Sequence, residues 1–148
     1  MKGVDDADLE IIDEPECLDL LADAEIGRVG VTIDALPAIR TVLYRPLDGQ
    51  VTFLVRENTK LAAALSNRVV AFEADWTDPI THAGWTVHLV GIARLSPKPT
   101  DPAAVEAAFL RQRPGAGPAR LVTVCQALIT GRRLPAVPRQ HEIQEWAP

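Results

Sequence analysis

Polar residues open the chain, and Leu18, Leu21 and Ala22 then fall at helical spacing between Pro15 and Ala24, with Asp13 two residues before a first-turn proline. That pattern predicts a short amphipathic helix. After Gly27 the period drops to two. Val29, Val31 and Ile33 share one side of a strand, and Asp34-Ala35 turns the chain into a second strand over Leu36 to Tyr44. Pro46, Asp48 and Gly49 make the next turn, after which Val51, Phe53 and Val55 alternate on one face. Three strands joined by links this short predict an antiparallel meander.

The period changes again at Asn58, where alanine and leucine dominate up to Leu65, Asn58 or Thr59 can cap, and Asn67 closes the stretch. A short helix is expected there. Val69 to Ala74 reads as a strand, Asp75 to Ala83 as a polar loop, and Gly84 to Leu95 as the longest strand, with Trp85, Val87 and Leu89 alternating against Thr86, His88 and Val90. Pro97, Pro99 and Pro102 stiffen the link to a helix expected over Ala103 to Arg111, and Arg120 to Thr130 alternates as a final strand. Six strands with short helices predict a mainly β, antiparallel barrel, because closing the sheet removes its edges. The order of elements also fits a sandwich.

Length and composition narrow the class without naming an activity. The 148 residues, 47% hydrophobic and 24% charged, predict one globular core. No apolar run is long enough to span a bilayer and the N-terminus is acidic, so a cytoplasmic protein is expected. Cys17 and Cys125 each sit among apolar residues and read as inert thiols. The net charge of −5 hides an asymmetry: residues 1–25 hold ten acids against Lys2, while residues 107–141 hold six arginines and no acid. These fields belong either to solvated surfaces or to a basic segment facing an anion or an acidic partner surface. Nucleic-acid binding through Arg111, Arg113, Arg120, Arg132, Arg133 and Arg139 is disfavoured by the acidic balance and the few aromatics.

Candidate chemistry gathers at Val55 to Lys60, a strand-to-helix junction where Thr59 and Lys60 could meet a phosphate, or only cap the helix and face solvent. Arg40 interrupts an apolar strand that leads to this junction and needs a partner or an exit to solvent. His88 lies on the same strand face as Thr86, and reads either as a packed or solvent-facing histidine or as a proton-transfer group. No histidine has a ligand at metal spacing, and neither a Gly-x-Ser-x-Gly elbow nor a Walker loop is present.

Taken together, Pro37, Arg40-Thr41-Val42-Leu43, Gly49, Val51 to Val55 and Thr59-Lys60-Leu61 resemble the flavin-binding block of pyridoxamine 5′-phosphate oxidase and its small relatives. Val70-Ala71-Phe72-Glu73, Gly84-Trp85-Thr86-Val87 with Gly91, and Ile129 to Leu134 resemble further segments of the short actinobacterial-type members. The resemblance spans residues 14–134. It implies an FMN-binding split β-barrel over 13–134, flanked by an acidic tail over 1–12 and a C-terminal tail over 135–148. It further implies a homodimer with FMN at the subunit interface. By matching positions, Arg40, Thr41 and Val42 would lie along the flavin and Leu54 and Val55 would contact it through the backbone. Thr59 and Lys60 would hold its phosphate, and Thr86 would face the same site. Asn58 stands where relatives often carry glycine, and the substrate-contacting arginine and tryptophan region of the true oxidase has no counterpart. The expectation is therefore a flavin-dependent oxidoreductase of unassigned small-molecule substrate. A non-enzymatic carrier or sensor, holding flavin, deazaflavin or haem, stays open beside it.

Overall fold

The computed structural model describes residues 3–5, 7–97 and 118–137. Its elements in chain order are β1 (Ile11–Ile12), α1 (Glu14–Asp23), β2 (Ile26–Ile33), β3 (Leu36–Leu47), β4 (Gln50–Arg56), α2 (Lys60–Leu65), β5 (Arg68–Thr77), β6 (Gly84–Leu95) and β7 (Ala119–Leu134). The strands run β7-β4-β3-β2-β5-β6, and β6 returns to β7, so six antiparallel strands close a barrel; β1 pairs with β7 outside that ring. The expected meander is β2-β3-β4. Closure decides for the barrel over the sandwich. The helix expected over Ala103 to Arg111 lies outside the described residues.

Alternation builds the core directly. Val29 and Val31, Val51, Phe53 and Val55, Val70, Phe72 and Ala74, Trp85, Val87 and Leu89, and Val122 and Val124 all point inward and are buried. Tyr44 stacks edge-to-face on Phe72, with ring centroids 4.9 Å apart, and its hydroxyl donates to the Leu21 carbonyl at 2.7 Å. That bond fastens α1 to the barrel wall; burial pushes the Tyr44 hydroxyl well above its ordinary pKa. The neighbouring Cys17 thiol is buried and raised for the same reason, and a Cβ on Gly131 would collide with its sulfur. Glycine lets β7 pass over α1 at this point.

Two expectations are adjusted. β5 continues to Thr77, so the polar loop shrinks: Asp75 and Trp76 pair with Thr86 and Trp85. β7 runs four residues beyond Thr130, after a register shift opposite Val90 and Gly91. Trp85 is a packing residue, but Trp76 is largely exposed, since it caps the open end of the ladder rather than its middle.

The barrel wall parts in one place. β3 pairs with β2 along Leu36 to Leu43, yet with β4 only from Tyr44 to Leu47, while β4 continues to Arg56 against β7. Both hairpin links are two residues long with positive φ, Asp34-Ala35 (50° and 64°) and Asp48-Gly49 (50° and 74°). Two-residue links of this kind place a hydrogen-bonded pair directly beside the turn. By that parity Pro37, Ile39, Thr41 and Leu43 turn their backbone groups away from β2 and toward the gap. Leu54 and Arg56 do the same from β4.

Candidate cofactor site

The gap carries most of the residues singled out from the sequence. Arg40 and Val42 lie on the barrel side of β3, across from Val29 and Gly27 respectively, and Val42 packs against the core. Arg40 exits to solvent: its guanidinium donates to the Ile39 carbonyl at 3.0 Å and is otherwise exposed. Thr41 sits on the outer face opposite Arg28. Leu54 is half-buried on the other lip, while Val55 is buried in the ladder to β7.

At the junction below, Thr59 is the cap of α2. Its hydroxyl accepts from the Ala62 N–H at 3.1 Å and donates to the Arg56 carbonyl at 2.9 Å. The one proton of the hydroxyl is thus spent within the fold. Asn58 takes a left-handed φ of 59°, which glycine adopts without cost. Lys60 leaves α2 toward the β2–β3 turn and meets Asp34 at 2.6 Å, with side chains 76% and 68% exposed. An ion pair in that setting contributes about 0–1 kcal/mol and exchanges readily. Between α2 and the turn opens a cleft of about 780 Å³, lined by Lys60, Asp34, Asn67 and Arg68 among others.

Thr86 stands apart from this group. It pairs with Asp75, whereas Arg68 beside Lys60 pairs with Ala93 at the far end of the same ladder. Seven positions at ~3.3 Å each put roughly 23 Å between the two ends. Within one chain, Thr86 and Lys60 do not share a site.

Around Thr86 the outer face carries a polar network. His88 Nε2 lies 3.1 Å from the Thr86 hydroxyl and 3.3 Å from Glu73 Oε2, and Arg28 reaches Asp75 at 3.3 Å and Glu73 at 3.9 Å. Arg132 sits directly opposite Thr86 in β7. The sequence placed His88 with Thr86, but Arg28, Glu73 and Asp75 were not foreseen; their adjacency comes from the β2–β5 register, which no local spacing reveals. The same holds for the charged ends of the chain. Arg132 pairs with Asp5 at 2.6 Å and Arg133 pairs with Glu16, while Arg120 pairs with Glu57 at 2.7 Å. These basic side chains therefore meet the chain's own acids. Arg111, Arg113 and Arg139 lie outside the described residues.

A closed antiparallel barrel whose wall opens between two neighbouring strands is a split barrel, with its unpaired backbone at the opening. The family profile of pyridoxamine 5′-phosphate oxidase matches residues 13–128, and the chain belongs to that family. An FAD-binding protein from Mycobacterium smegmatis is similar in structure, with a TM-score of 0.65 and 32% identity over 85% of this chain and 98% of that one. The flavocytochrome Anf3 from Azotobacter vinelandii shares the fold at a TM-score of 0.71 and 14% identity, over 93% and 76% of the two chains. An uncharacterized protein of Mycobacterium tuberculosis is 40% identical over 87 residues, covering 55% of this chain. The match takes in 57% of that relative's length.

Proposed function

We propose that the chain is a flavin-dependent oxidoreductase of the cytosol that works as a homodimer, with FMN at the subunit interface. The observation that carries this reading is the gap between β3 and β4. Exposed cations, Arg40 and Lys60, stand beside two strand edges whose backbone groups lack a ladder partner. An anionic, carbonyl-rich planar ligand answers each of these features. Lys60 exchanges its surface carboxylate for a phosphate, and Arg40 donates to phosphate or ring carbonyl. Thr41 and Leu54 offer backbone groups from opposite lips, and Val42 gives the apolar wall. Thr59 supports the phosphate turn by capping α2. The bound flavin supplies the electron chemistry, and the protein binds and orients it. That division suits a site which offers no nucleophile. Two unpaired cysteines, Cys17 and Cys125, suit a reducing compartment.

The outer face supports the dimer. Ile39, Gly30, Ala71, Val90 and Leu128 form a row across five strands, with Pro37, Val69 and Ile92 beside it. Ile39, Val69 and Leu128 are 71%, 70% and 59% exposed, and monomers rarely leave so continuous an apolar face in water. An isologous two-fold axis through this patch exchanges its corners. The Thr86–Arg132 corner of one copy then meets the Asp34–Lys60 corner of the other, which brings Thr86 to the site that a single chain denies it.

Both FMN and FAD carry the phosphate assigned to Lys60. The M. smegmatis relative is an FAD-binding protein, and the open cleft beyond Lys60 has space for a nucleotide extension. An absorbance spectrum of the purified protein, with mass spectrometry of what it releases on denaturation, separates the outcomes. Released FMN meets the proposal. FAD keeps the flavin site and changes the cofactor; deazaflavin or haem, or a colourless protein that binds no added flavin, overturns it. A flavin held tightly but never reduced by nicotinamide donors makes the protein a carrier or sensor.

A further inference from the structure

We propose that the cleft between α2 and the β2–β3 turn is a nucleotide-phosphate subsite, with Arg68 as its anion contact. The proposal deepens the flavin reading above and rests on it: Lys60 takes the flavin phosphate, and the cleft takes a second phosphate beside it.

The cleft exists because two strands part. β2 pairs with β5 only along Gly27 to Gly30, opposite Ala71 to Ala74, and α2 packs against both strands. By the parity of the β2–β3 turn, Thr32 directs its backbone groups toward β5, where the ladder has already ended. The sequence of α2 leaves the space open. Its Ala62 and Leu65 are buried, while Lys60, Ala63 and Ala64, one stripe at i, i+3, i+4 spacing, line the cleft. Two methyl groups form the floor where longer side chains would fill it, and Ile33 and Val69 add apolar wall. The volume of about 780 Å³ falls among the roughly 300–1,000 Å³ of pockets that hold small organic ligands.

Charge narrows the ligand. The whole chain carries −5, yet this cleft is lined by Lys60 and Arg68 against a single carboxylate, Asp34, which Lys60 already meets. Arg68 is exposed and makes no hydrogen bond or ion pair among the described residues. The residue before it is held. Asn67 takes a left-handed φ of 53°, its N–H donates to the Ala93 carbonyl at 3.0 Å, and its Oδ1 accepts from Arg94 Nη1 at 3.3 Å. Arg68 therefore leaves a fixed backbone with its guanidinium unengaged. It and Lys60 stand at opposite ends of a six-residue helix that rises about 9 Å, a separation that two long side chains can close over successive phosphates. A guanidinium meets phosphate through two parallel N–H bonds. A nucleotide brings that phosphate together with a flat ring for the apolar wall. It can be the second half of FAD, joined to the flavin phosphate, or a separate nucleotide beside bound FMN.

Calorimetric titration of the full chain with FMN and FAD in parallel, followed by ADP into the FMN-saturated chain, tests the subsite and separates its two sources. A joined nucleotide makes FAD bind about tenfold tighter than FMN; a separate one leaves the flavins equal and lets ADP bind the FMN-saturated chain. In either case Arg68→Ala should weaken FAD or ADP about tenfold and leave FMN affinity unchanged, and Arg68→Lys, which keeps the charge without the planar fork, should recover part of the loss. Ala63→Leu, which narrows the cleft from an exposed helix position, should weaken the same ligand without altering a charge. FAD no tighter than FMN together with no ADP binding, or wild-type affinity for the nucleotide in Arg68→Ala, would overturn the subsite and leave the flavin reading standing. A wild-type chain that binds neither flavin overturns both.

Discussion

Lys60 and Thr59 are neighbours in sequence with opposite duties. Thr59 spends the one proton of its hydroxyl on the backbone around α2, whereas Lys60 keeps an ammonium in solvent with only a surface aspartate against it. Replacing Lys60 by alanine should weaken flavin binding by about 1–3 kcal/mol, the worth of a charge-assisted hydrogen bond, and leave stability nearly untouched. Isothermal titration beside a urea melt reads both quantities. Arg40, Thr59 and Lys60 could be picked out in the sequence because each breaks a local pattern: a charge in an apolar strand, or a cap before an alanine-rich turn. What that reasoning could not supply was occupancy. Whether a hydroxyl is free or engaged depends on the carbonyl three residues behind it, and Thr59 turned out to be engaged.

At the scale of elements, strict alternation made β2, β4 and β6 legible: in β2 and β6 one face is buried in the barrel and the other is not, and in β4 the alternating Val51, Phe53 and Val55 mark the core side although Thr52 on the opposite face is buried too. The ends of elements were harder. β5 and β7 outrun their apolar runs since their last residues are held across the ladder, Trp76 by Trp85 and Leu134 by Gly84. β1 has two residues and exists only because β7 passes beside it. The β2–β3 link has its own tension: Ala35 adopts a φ of 64°, where its Cβ is crowded by the following carbonyl. Ala35→Gly should raise stability by about 0.5–1 kcal/mol after allowing for the added freedom of glycine in the unfolded chain. Chemical denaturation measures it, and a loss of stability would mean that the turn is not strained. The same turn carries Asp34, so relaxing it also loosens the partner of Lys60.

For the whole molecule, the sequence indicated a barrel but not where its wall opens. The opening arises because β3 pairs with two neighbours along different halves of its length, a property of register rather than of any residue. The apolar outer row was hidden for a similar reason. Ile39, Gly30, Ala71, Val90 and Leu128 are scattered along the chain and meet only when five strands align. Ala71→Arg places a charge at the centre of that row while pointing away from the core. It should give a folded monomer in sedimentation velocity, and a retained dimer would mean that copies meet elsewhere. If the dimer completes the site, the monomeric variant should also bind flavin poorly, since it lacks the second Thr86–Arg132 corner. The account as a whole stands on a flavin in the gap between β3 and β4. Its most direct test is titration of FMN and FAD into the wild-type protein, followed by flavin fluorescence. Saturable quenching at one flavin per chain is the predicted result; fluorescence unchanged by the protein with both flavins would contradict it.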